Sequence, residues 1–464
     1  MKKLLFLFLI FAWVDAHTQT VNSVFNSAFT KFASDPDFKH ATISLFVLNA
    51  TTGEPVTEVN AQTGLAPAST QKVITAATAY ALLGRNYSYK TTLGYTGKIE
   101  NGVLNGDIII KGSGDPTLGS WRYKQTSEEN IISAFKDAIS RQGINAIKGN
   151  VIADESLWEG EVTPDGWVWQ DIANYYGAGA RALNWRENQY DLLLNSGNKI
   201  SDPVEISGSI PLFVEALNLK SLATSAGKGS GDNAYIYHPL NEAFGYVRGT
   251  IPVNENKFKI SGAMPHPAKQ MAITLEAELK RSTAKEIANN YPDDKNITAP
   301  ATTFYTYNSP PLDSISYWFL KRSINLYGES LLKTLGHQFA KSGSTESGIN
   351  VLKKFWEKQG IDTNAINMMD GSGLSPGNRI TTTSLVQALL YAKKQNWFSS
   401  FYDGLPVING IRMKSGSING VVSYTGFIKS KKGEEYAFAF IVNNYNGSGS
   451  EARKKMWKLL DVLK

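Results

Sequence analysis

A serine and a lysine three positions apart, Ser69 and Lys72, have the residue types of a nucleophile and its base. On a helix, side chains at positions i and i+3 share a face, so the lysine amine would lie beside the serine hydroxyl. A lysine can take the serine proton when burial or a neighbouring cation lowers its pKa. The pair therefore predicts nucleophilic catalysis by Ser69.

The spacing itself is not specific, because it recurs elsewhere in the chain, for example at Ser133, Ser196, Ser225 and Ser282. The context favours Ser69. Pro67 and Ala68 precede it, and a nearly uncharged helix rich in alanine and threonine is predicted at 69–83, stopped by Gly84. The start of a buried helix can present a serine in a cleft, and its dipole favours developing negative charge.

A second candidate is Ser323-Ile324-Asn325, which lies between helices predicted at 313–320 and 326–340. Residues two positions apart point the same way in an extended or turn segment. The hydroxyl of Ser323 could then relay protons while the amide of Asn325 holds a substrate amide. The same S-x-N spacing recurs at Ser196 and Ser417, so it is again common.

A third candidate is Lys414-Ser415-Gly416-Ser417, just before a strand predicted at 421–429. A cation and hydroxyls on an edge strand suit a substrate carboxylate, and the glycine allows the substrate backbone to approach closely. The same four letters at 341–344 follow a predicted helix, where we interpret them as a helix stop.

Other chemistries have little support in the sequence. The chain has five histidines and no cysteine, which excludes disulfides, thiolate metal sites and a cysteine nucleophile. It has no G-x-S-x-G motif and no H-E-x-x-H spacing. The net charge of +6 is spread along the chain without a basic run interleaved with aromatics, so no nucleic-acid partner is expected.

The first residues have the pattern of a secretory signal peptide, predicted at 1–16. Lys2 and Lys3 precede an apolar run at 4–14, and Val14-Asp15-Ala16 offers a small-residue cleavage site. A retained membrane anchor is the alternative. We expect export across the inner membrane to the periplasm or cell envelope, with no integral membrane segment in the mature chain.

The pattern along the chain predicts a discontinuous α/β domain with an insert. A hairpin is predicted at 41–60, a mostly β region at about 92–285, strands at 421–429 and 435–443, and an amphipathic helix at 451–463. We predict one domain from 17–91 with 286–464. The insert, 92–285, is predicted to form two subdomains, about 92–190 with 256–285, and 191–255.

The three motifs follow one another in the order S-x-x-K, S-x-N, K-S-G. In this order, and in the long separation between Ser69 and Ser323, the sequence resembles the D-alanyl-D-alanine carboxypeptidase/endopeptidase family. These are low-molecular-mass penicillin-binding proteins with a large insert between the first two motifs. Segments at 106–118, 177–188 and 370–375 (DGSGLS) look like the family too. The family usually has K-T-G, and Ser415 keeps the hydroxyl.

The resemblance implies an α/β (α+β) penicillin-binding/β-lactamase-like transpeptidase fold, with an antiparallel sheet flanked by helices and a large β-rich insert. It implies a serine D-Ala-D-Ala carboxypeptidase or D,D-endopeptidase that acts on peptidoglycan stem peptides and is acylated by β-lactams. No metal or organic cofactor is implied.

The resemblance also implies a role for each motif residue. Ser69 attacks the carbonyl of the penultimate D-alanine or cross-link, with Lys72 as base. Ser323 relays a proton to the leaving amine and Lys414 tunes the charge. The remaining implied roles are substrate contacts: Asn325 on the acyl-side amide, Ser415, Gly416 and Ser417 at the carboxylate, and the N–H groups of Ser69 and Ser417 in an oxyanion hole.

Two alternatives stay open on the same fold. One is a β-lactamase or esterase, for which Glu215-Ala216-Leu217-Asn218 offers an incomplete E-x-x-L-N segment. The other is a non-catalytic wall-binding protein. The sequence leaves open the balance between carboxypeptidase and endopeptidase activity, the stem-peptide side-chain preference and the oligomeric state.

Overall fold

A computed structural model of the protein describes residues 21–211, 218–238, 244–283 and 301–464. The predicted signal peptide lies outside the described residues, as do Glu215, Ala216 and Leu217. The described chain forms two compact units. The first contains Ser316–Ser323, Ile349–Lys464 and the described part of Met1–Leu82, and the second contains Leu83–Ile315 and Ile324–Gly348.

The described helices are, in chain order, α1 (residues 21–33), α2 (Lys72–Leu83), α3 (Glu128–Arg141), α4 (Trp169–Ile172), α5 (Pro267–Thr283), α6 (Leu312–Arg322), α7 (Asn325–Ala340), α8 (Thr345–Lys358), α9 (Thr382–Lys393), α10 (Phe398–Gly404) and α11 (Gly449–Leu460). None of the described helices is both long enough and apolar enough to cross a membrane.

The described strands are, in chain order, β1 (Thr42–Asn49), β2 (Pro55–Val59), β3 (Lys90–Tyr95), β4 (Lys98–Glu100), β5 (Val103–Asn105), β6 (Ile108–Lys111), β7 (Ala146–Ile147), β8 (Val151–Asp154), β9 (Gln189–Asn195), β10 (Glu205–Ile210), β11 (Asn218–Ser221), β12 (Thr224–Ala226), β13 (Asn233–Tyr237), β14 (Phe244–Pro252), β15 (Phe258–Ala263), β16 (Thr302–Asn308), β17 (Ile366–Asn367), β18 (Arg379–Ile380), β19 (Val407–Ile408), β20 (Ile411–Ile418), β21 (Val421–Lys429) and β22 (Glu435–Asn443).

The first unit is built on an antiparallel sheet with the strand order β19-β20-β21-β22-β1-β2. The predicted hairpin at 41–60 is formed by β1 and β2. The strands predicted at 421–429 and 435–443 are β21 and β22 with the predicted bounds. Both strands were predictable because they are rich in apolar and aromatic residues, and almost every residue in them is buried.

The two faces of this sheet are covered differently. One face forms an apolar core with α1 and α11, in which Phe440 and Leu45 of the sheet contribute alongside Met456 of the last helix. The predicted apolar face of that helix, including Leu459 and Leu460, is buried as expected. The other face carries hydroxyls, and the Oγ of Ser44 lies 2.8 Å from the Oγ1 of Thr382 on α9.

The second unit contains several smaller sheets. Strands β16-β3-β6-β8 form one sheet, against which α3 and α5 pack through residues such as Phe135 and Met271. Strands β10-β9-β15 form another, and β11-β14-β12 with β13 form a third. These last two sheets share one core, which includes Leu192, Ile236 and Val247.

The predicted insert of 92–285 lies within the second unit, which also takes in Ile324–Gly348. The insert is rich in strands as predicted, although it also contains α3 and α5. The division into domains at 91/92 and 285/286 stays a prediction. The second K-S-G-S segment, 341–344, ends α7 as predicted, since Lys341 takes a left-handed φ of +61° directly after Ala340.

Candidate active site

Ser69 lies in a 3-10 turn, Ala68–Gln71, that leads into α2. The helix predicted to begin at residue 69 becomes α-helical only at Lys72. The hydroxyl of Thr70 donates to the carbonyl oxygen of Pro67 at 2.6 Å, a local bond that competes with the α-helical pattern. In a 3-10 turn, residues i and i+3 eclipse one another, which stacks Lys72 over Ser69.

The side chain of Lys72 is fully buried, and its contacts include both Ser69 and the loop that follows Asp370. Its Nζ donates to the Oγ of Ser69 at 2.9 Å and to the carbonyl oxygen of Ser372 at 2.7 Å. The ring of Phe319 on α6 lies 5.9 Å from the same nitrogen. The amine is therefore held against the serine hydroxyl, in the geometry that proton transfer requires.

The DGSGLS segment, 370–375, contacts both Lys72 and the turn that carries Ser69. The carboxylate of Asp370 accepts hydrogen bonds from the backbone N–H groups of Gly373 and Ser375, at 2.8 and 2.6 Å. It also accepts from the side-chain amide of Gln71 at 3.0 Å. Asp370 thus fixes both the carbonyl that orients Lys72 and the turn that carries Ser69.

A second buried lysine lies beside the first. The Nζ of Lys414 donates to the Oγ of Ser323 at 2.9 Å and to the carbonyl oxygen of Ser415 at 2.8 Å. Burial, followed by the charge of Lys72, holds the pKa of Lys414 well below its usual range. The positive charge of Lys72 therefore makes it harder to protonate Lys414.

Two non-glycine residues of the site have a left-handed backbone. Ala68 has φ of +47° and Ser323, in the short connection between α6 and α7, has φ of +58°. Such conformations cost ~1–3 kcal/mol and persist where the surroundings impose them, often at functional sites. In this protein they place Ser69 and the hydroxyl of Ser323.

Strand β20 brings the K-S-G-S segment to the serine. In the described chain, β19 pairs only with Ile411 and Arg412, so the later residues of β20 have a strand partner, β21, on one side only. A Cβ on Gly416 would lie 2.7 Å from the carbonyl oxygen of Pro67 and 2.8 Å from the backbone nitrogen of Ser69. Only glycine permits this approach.

Ser415 and Ser417 follow the alternation of the strand. Ser415 is half-buried and Ser417 is exposed. The Nη2 of Arg453, on α11, donates to the Oγ of Ser417 at 3.0 Å. Sequence reasoning missed this contact, because Arg453 belongs to no motif and lies 36 positions further along the chain.

Asn325 belongs to the second unit, where it begins α7. Its Nδ2 donates to the carbonyl oxygen of Tyr176 at 2.8 Å. Tyr176 lies next to the predicted family-like segment 177–188. Of the predicted site residues, Ser69, Lys72, Ser323, Lys414 and Gly416 are brought together within the first unit.

A buried carboxylate network holds α7 within the second unit. The hydroxyl of Tyr327 and the Nε of Arg122 donate to Oε1 of Glu187 at 2.9 and 2.7 Å. Glu187 is the middle of three successive residues with left-handed φ, 186–188. Burial and the charge of Glu187 raise the pKa of the Tyr327 hydroxyl, which therefore remains a donor. The network fixes the helix that begins at Asn325.

Metal chemistry has no visible ligand set in the described chain. Within residues 21–211, 218–238, 244–283 and 301–464, no three histidine, aspartate or glutamate side chains are grouped so that they could hold a metal ion.

Comparison with known families decides the classification. The sequence matches the D-Ala-D-Ala carboxypeptidase 3 (S13) family over residues 25–410 and 408–463. The chain belongs to this family. The match confirms the predicted family and enzyme class, a serine-type D-Ala-D-Ala carboxypeptidase.

Similar proteins agree with this assignment. The D-alanyl-D-alanine carboxypeptidase DacB of Haemophilus influenzae is 24% identical over 436 residues, which cover 89% of this chain and 88% of the relative. The D-alanyl-D-alanine carboxypeptidase of Actinomadura sp. is 25% identical over 450 residues, covering 89% and 80%.

The fold is also found in a solved structure. Penicillin-binding protein 4 (dacB) of Haemophilus influenzae superposes with a TM-score of 0.76 at 22% identity, covering 91% of this chain and 95% of that structure. This likeness confirms the predicted penicillin-binding/β-lactamase-like fold.

Proposed function

We propose that this S13 carboxypeptidase hydrolyses the bond after the penultimate D-alanine of peptidoglycan stem peptides, or the equivalent bond of a cross-link, through an acyl-enzyme on Ser69. The observation that carries the proposal is the buried lysine amine of Lys72, 2.9 Å from the Ser69 hydroxyl. An amine held this way acts as the base for serine attack.

In the acylation step, the Oγ of Ser69 bonds to the substrate carbonyl carbon while its proton passes to Lys72. The bond to the leaving amine breaks, and that nitrogen takes the proton of the Ser323 hydroxyl, which accepts a hydrogen bond from Lys414 at 2.9 Å. The proton that Lys72 took from Ser69 passes to Ser323 in turn, so that Lys72 is neutral again before the second step. In the second step a water molecule, deprotonated by Lys72, attacks the ester and releases Ser69 with its proton restored.

Substrate binding is assigned to the remaining motif residues. The K-S-G-S segment offers hydroxyls from Ser415 and Ser417 to the substrate carboxylate, beside Lys414. The backbone N–H of Ser69, adjacent to Gly416, would donate to the developing oxyanion together with the N–H of Ser417. The amide of Asn325 would contact the acyl-side amide of the substrate.

β-Lactams should acylate the same serine, because they resemble the peptide in presenting an amide next to a carboxylate. In the β-lactam this amide is strained. The solved penicillin-binding protein 4 from Haemophilus influenzae is described in complex with a β-lactam, with a TM-score of 0.70 at 21% identity. The signal-like residues 1–16 and the wall substrate together support a periplasmic or cell-envelope location.

The test is the release of D-alanine from a soluble peptide ending in D-Ala-D-Ala. The wild type should hydrolyse it, and Ser69→Ala should reduce kcat by ~10⁴-fold or more. Ser133→Ala is the matched control, because Ser133 has the same S-x-x-K spacing and is exposed on α3. Loss of activity in the control, or its survival in Ser69→Ala, would contradict the assignment.

The confirmed enzyme class opposes the alternative of a non-catalytic wall-binding protein. Such a protein would bind the peptide without releasing D-alanine in any variant. The β-lactamase alternative predicts rapid turnover of a β-lactam, whereas the proposed enzyme holds a long-lived acyl adduct.

A further inference from the structure

The sheet formed by β11, β14, β12 and β13 in the second unit exposes a row of aromatic side chains on its outer face. Its inner face is buried through Ala234, Ile236 and Val247. The alternating residues point the other way, to solvent. This outer surface, here called the aromatic face, comprises Trp169, Tyr235, Tyr237, Phe244, Tyr246 and Arg248.

These side chains contact one another across the strands. Tyr237 pairs with Tyr246 and Tyr235 with Arg248 in the β13–β14 register. The guanidinium of Arg248 lies 5.3 Å from each of the rings of Tyr237 and Tyr246. Trp169, from α4, meets Tyr237 edge-on with centroids 5.1 Å apart. The residues therefore form one continuous surface.

The aromatic face is unusually open for residues of this kind. Trp169 is 47% exposed and Phe244 is 46% exposed. Contiguous exposed patches of this type usually mark binding sites. The described core on the opposite side of the sheet contains none of these rings.

Strand β13, which carries part of the aromatic face, is hydrogen-bonded to the segment that Asn325 contacts. The side-chain amide of Asn174 bonds both the N–H and the carbonyl of Ile236, at 3.0 and 3.3 Å, and so ties its turn to β13. The same turn continues to Tyr176, whose carbonyl oxygen accepts from Asn325. One turn therefore contacts both β13, which carries part of the aromatic face, and the S-x-N asparagine.

We propose that the aromatic face binds the glycan strand of peptidoglycan and so holds the polymer while its stem peptides are cut; this rests on the proposed function. The C–H groups on a sugar ring face carry partial positive charge, which the negative face of an aromatic ring attracts. Arg248 and the exposed Lys220, which pairs with Tyr246 in the sheet, would meet the carboxylates of the stem peptides.

The binding test uses the full chain in a Ser69→Ala background, so that nothing is cleaved. Co-sedimentation with purified peptidoglycan sacculi is measured for this parent and for the additional double change Trp169→Ala with Tyr237→Ala. Losing two stacking rings should weaken binding about tenfold. Phe339→Ala is the matched control, since Phe339 is an exposed ring, 51% accessible, that belongs to α7 and not to the aromatic face, and it should bind like the parent.

A second arm identifies the bound part of the polymer. Glycan strands from which an amidase has removed the stem peptides should still retain the parent and lose the double variant. Retention of the double variant equal to the parent would overturn the proposal, and so would failure of peptide-free glycan to bind the parent. Arg248→Gln, which alters only an exposed side chain, should weaken binding to whole sacculi more than to peptide-free glycan.

A third arm separates this inference from the proposed function. In the active background, the aromatic changes should leave kcat/KM on a soluble D-Ala-D-Ala peptide within about twofold of wild type. The same changes should lower the rate of D-alanine release from sacculi about tenfold. If the wild type releases no D-alanine from any peptide, the proposed function fails while the binding measurement still stands.

Discussion

The Nζ of Lys414 donates to the Oγ of Ser323 at 2.9 Å, although the two residues are 91 positions apart in the chain. The hydroxyl comes from a residue with a left-handed backbone, and the amine is buried beside a second lysine. A serine and a lysine linked by one hydrogen bond should act as one proton-transfer unit.

This coupling predicts non-additive losses. Lys414→Met and Ser323→Ala should each lower kcat/KM on a soluble D-Ala-D-Ala peptide by ~100-fold or more, because each breaks the same proton relay. The double variant should be little worse than either single variant. Losses that multiply in the double variant would show that the two residues act independently.

The close approach of β20 to the serine turn predicts that Gly416 cannot be replaced. A Cβ at this position would lie 2.8 Å from the backbone nitrogen of Ser69, so Gly416→Ala should displace the nucleophile. A displacement near 1 Å can cost ~100-fold in rate. Gly227→Ala is the control, because its Cβ would meet no atom within 4 Å. Equal kinetics for both alanine variants would contradict this account.

The hydrogen bond from Arg453 to Ser417 predicts a change in substrate discrimination. Arg453→Ala should raise KM for a peptide with a free terminal carboxylate about fivefold, because the Ser417 hydroxyl loses the partner that orients it beside the substrate anion. The C-terminal amide of the same peptide should be affected less. Lys454→Ala, which removes an exposed charge of the same helix, should change neither value.

A buried lysine on α7 predicts how stability depends on pH. Burial lowers the pKa of Lys333 to about 8, against 10.5 in the unfolded chain. Between these values the unfolded chain holds a proton that the folded chain has lost, so stability should increase as the pH rises. The slope is at most ~1.4 kcal/mol per pH unit.

Denaturant unfolding at pH 7.5 and 9.5 tests this point. The wild type should gain stability relative to Lys333→Met over that interval, since methionine fills the same space without a titrating group. Parallel changes in the two proteins would show that Lys333 does not contribute. Below pH 8 both states of the wild type hold the proton, so no difference in slope is expected there.

Local sequence patterns predicted much of the fold and the positions of the three motifs. The strands β21 and β22 and the buried face of α11 followed from apolar periodicity, and the S-x-x-K, S-x-N and K-S-G motifs from residue type, order and context. Local pattern also separated Ser69 from Ser133, because a buried uncharged helix differs from a charged exposed one.

Contacts between distant segments could not be read from the sequence. The carbonyl of Ser372 that orients Lys72 comes from a loop 300 positions away. The contacts of Arg453 with Ser417 and of Tyr176 with Asn325 likewise depend on tertiary packing. The 3-10 turn at Ser69 was missed because the alanine-rich helical pattern that follows favours an α-helix from residue 69, whereas the local bond of the Thr70 hydroxyl competes with that pattern.

The most direct test of the central claim is the intact mass of the mature protein after exposure to benzylpenicillin, for the wild type and Ser69→Ala. One added mass equal to one β-lactam is expected in the wild type and none in the variant. A wild type that is folded but unmodified, or an adduct that persists in Ser69→Ala, would contradict Ser69 as the acylated nucleophile.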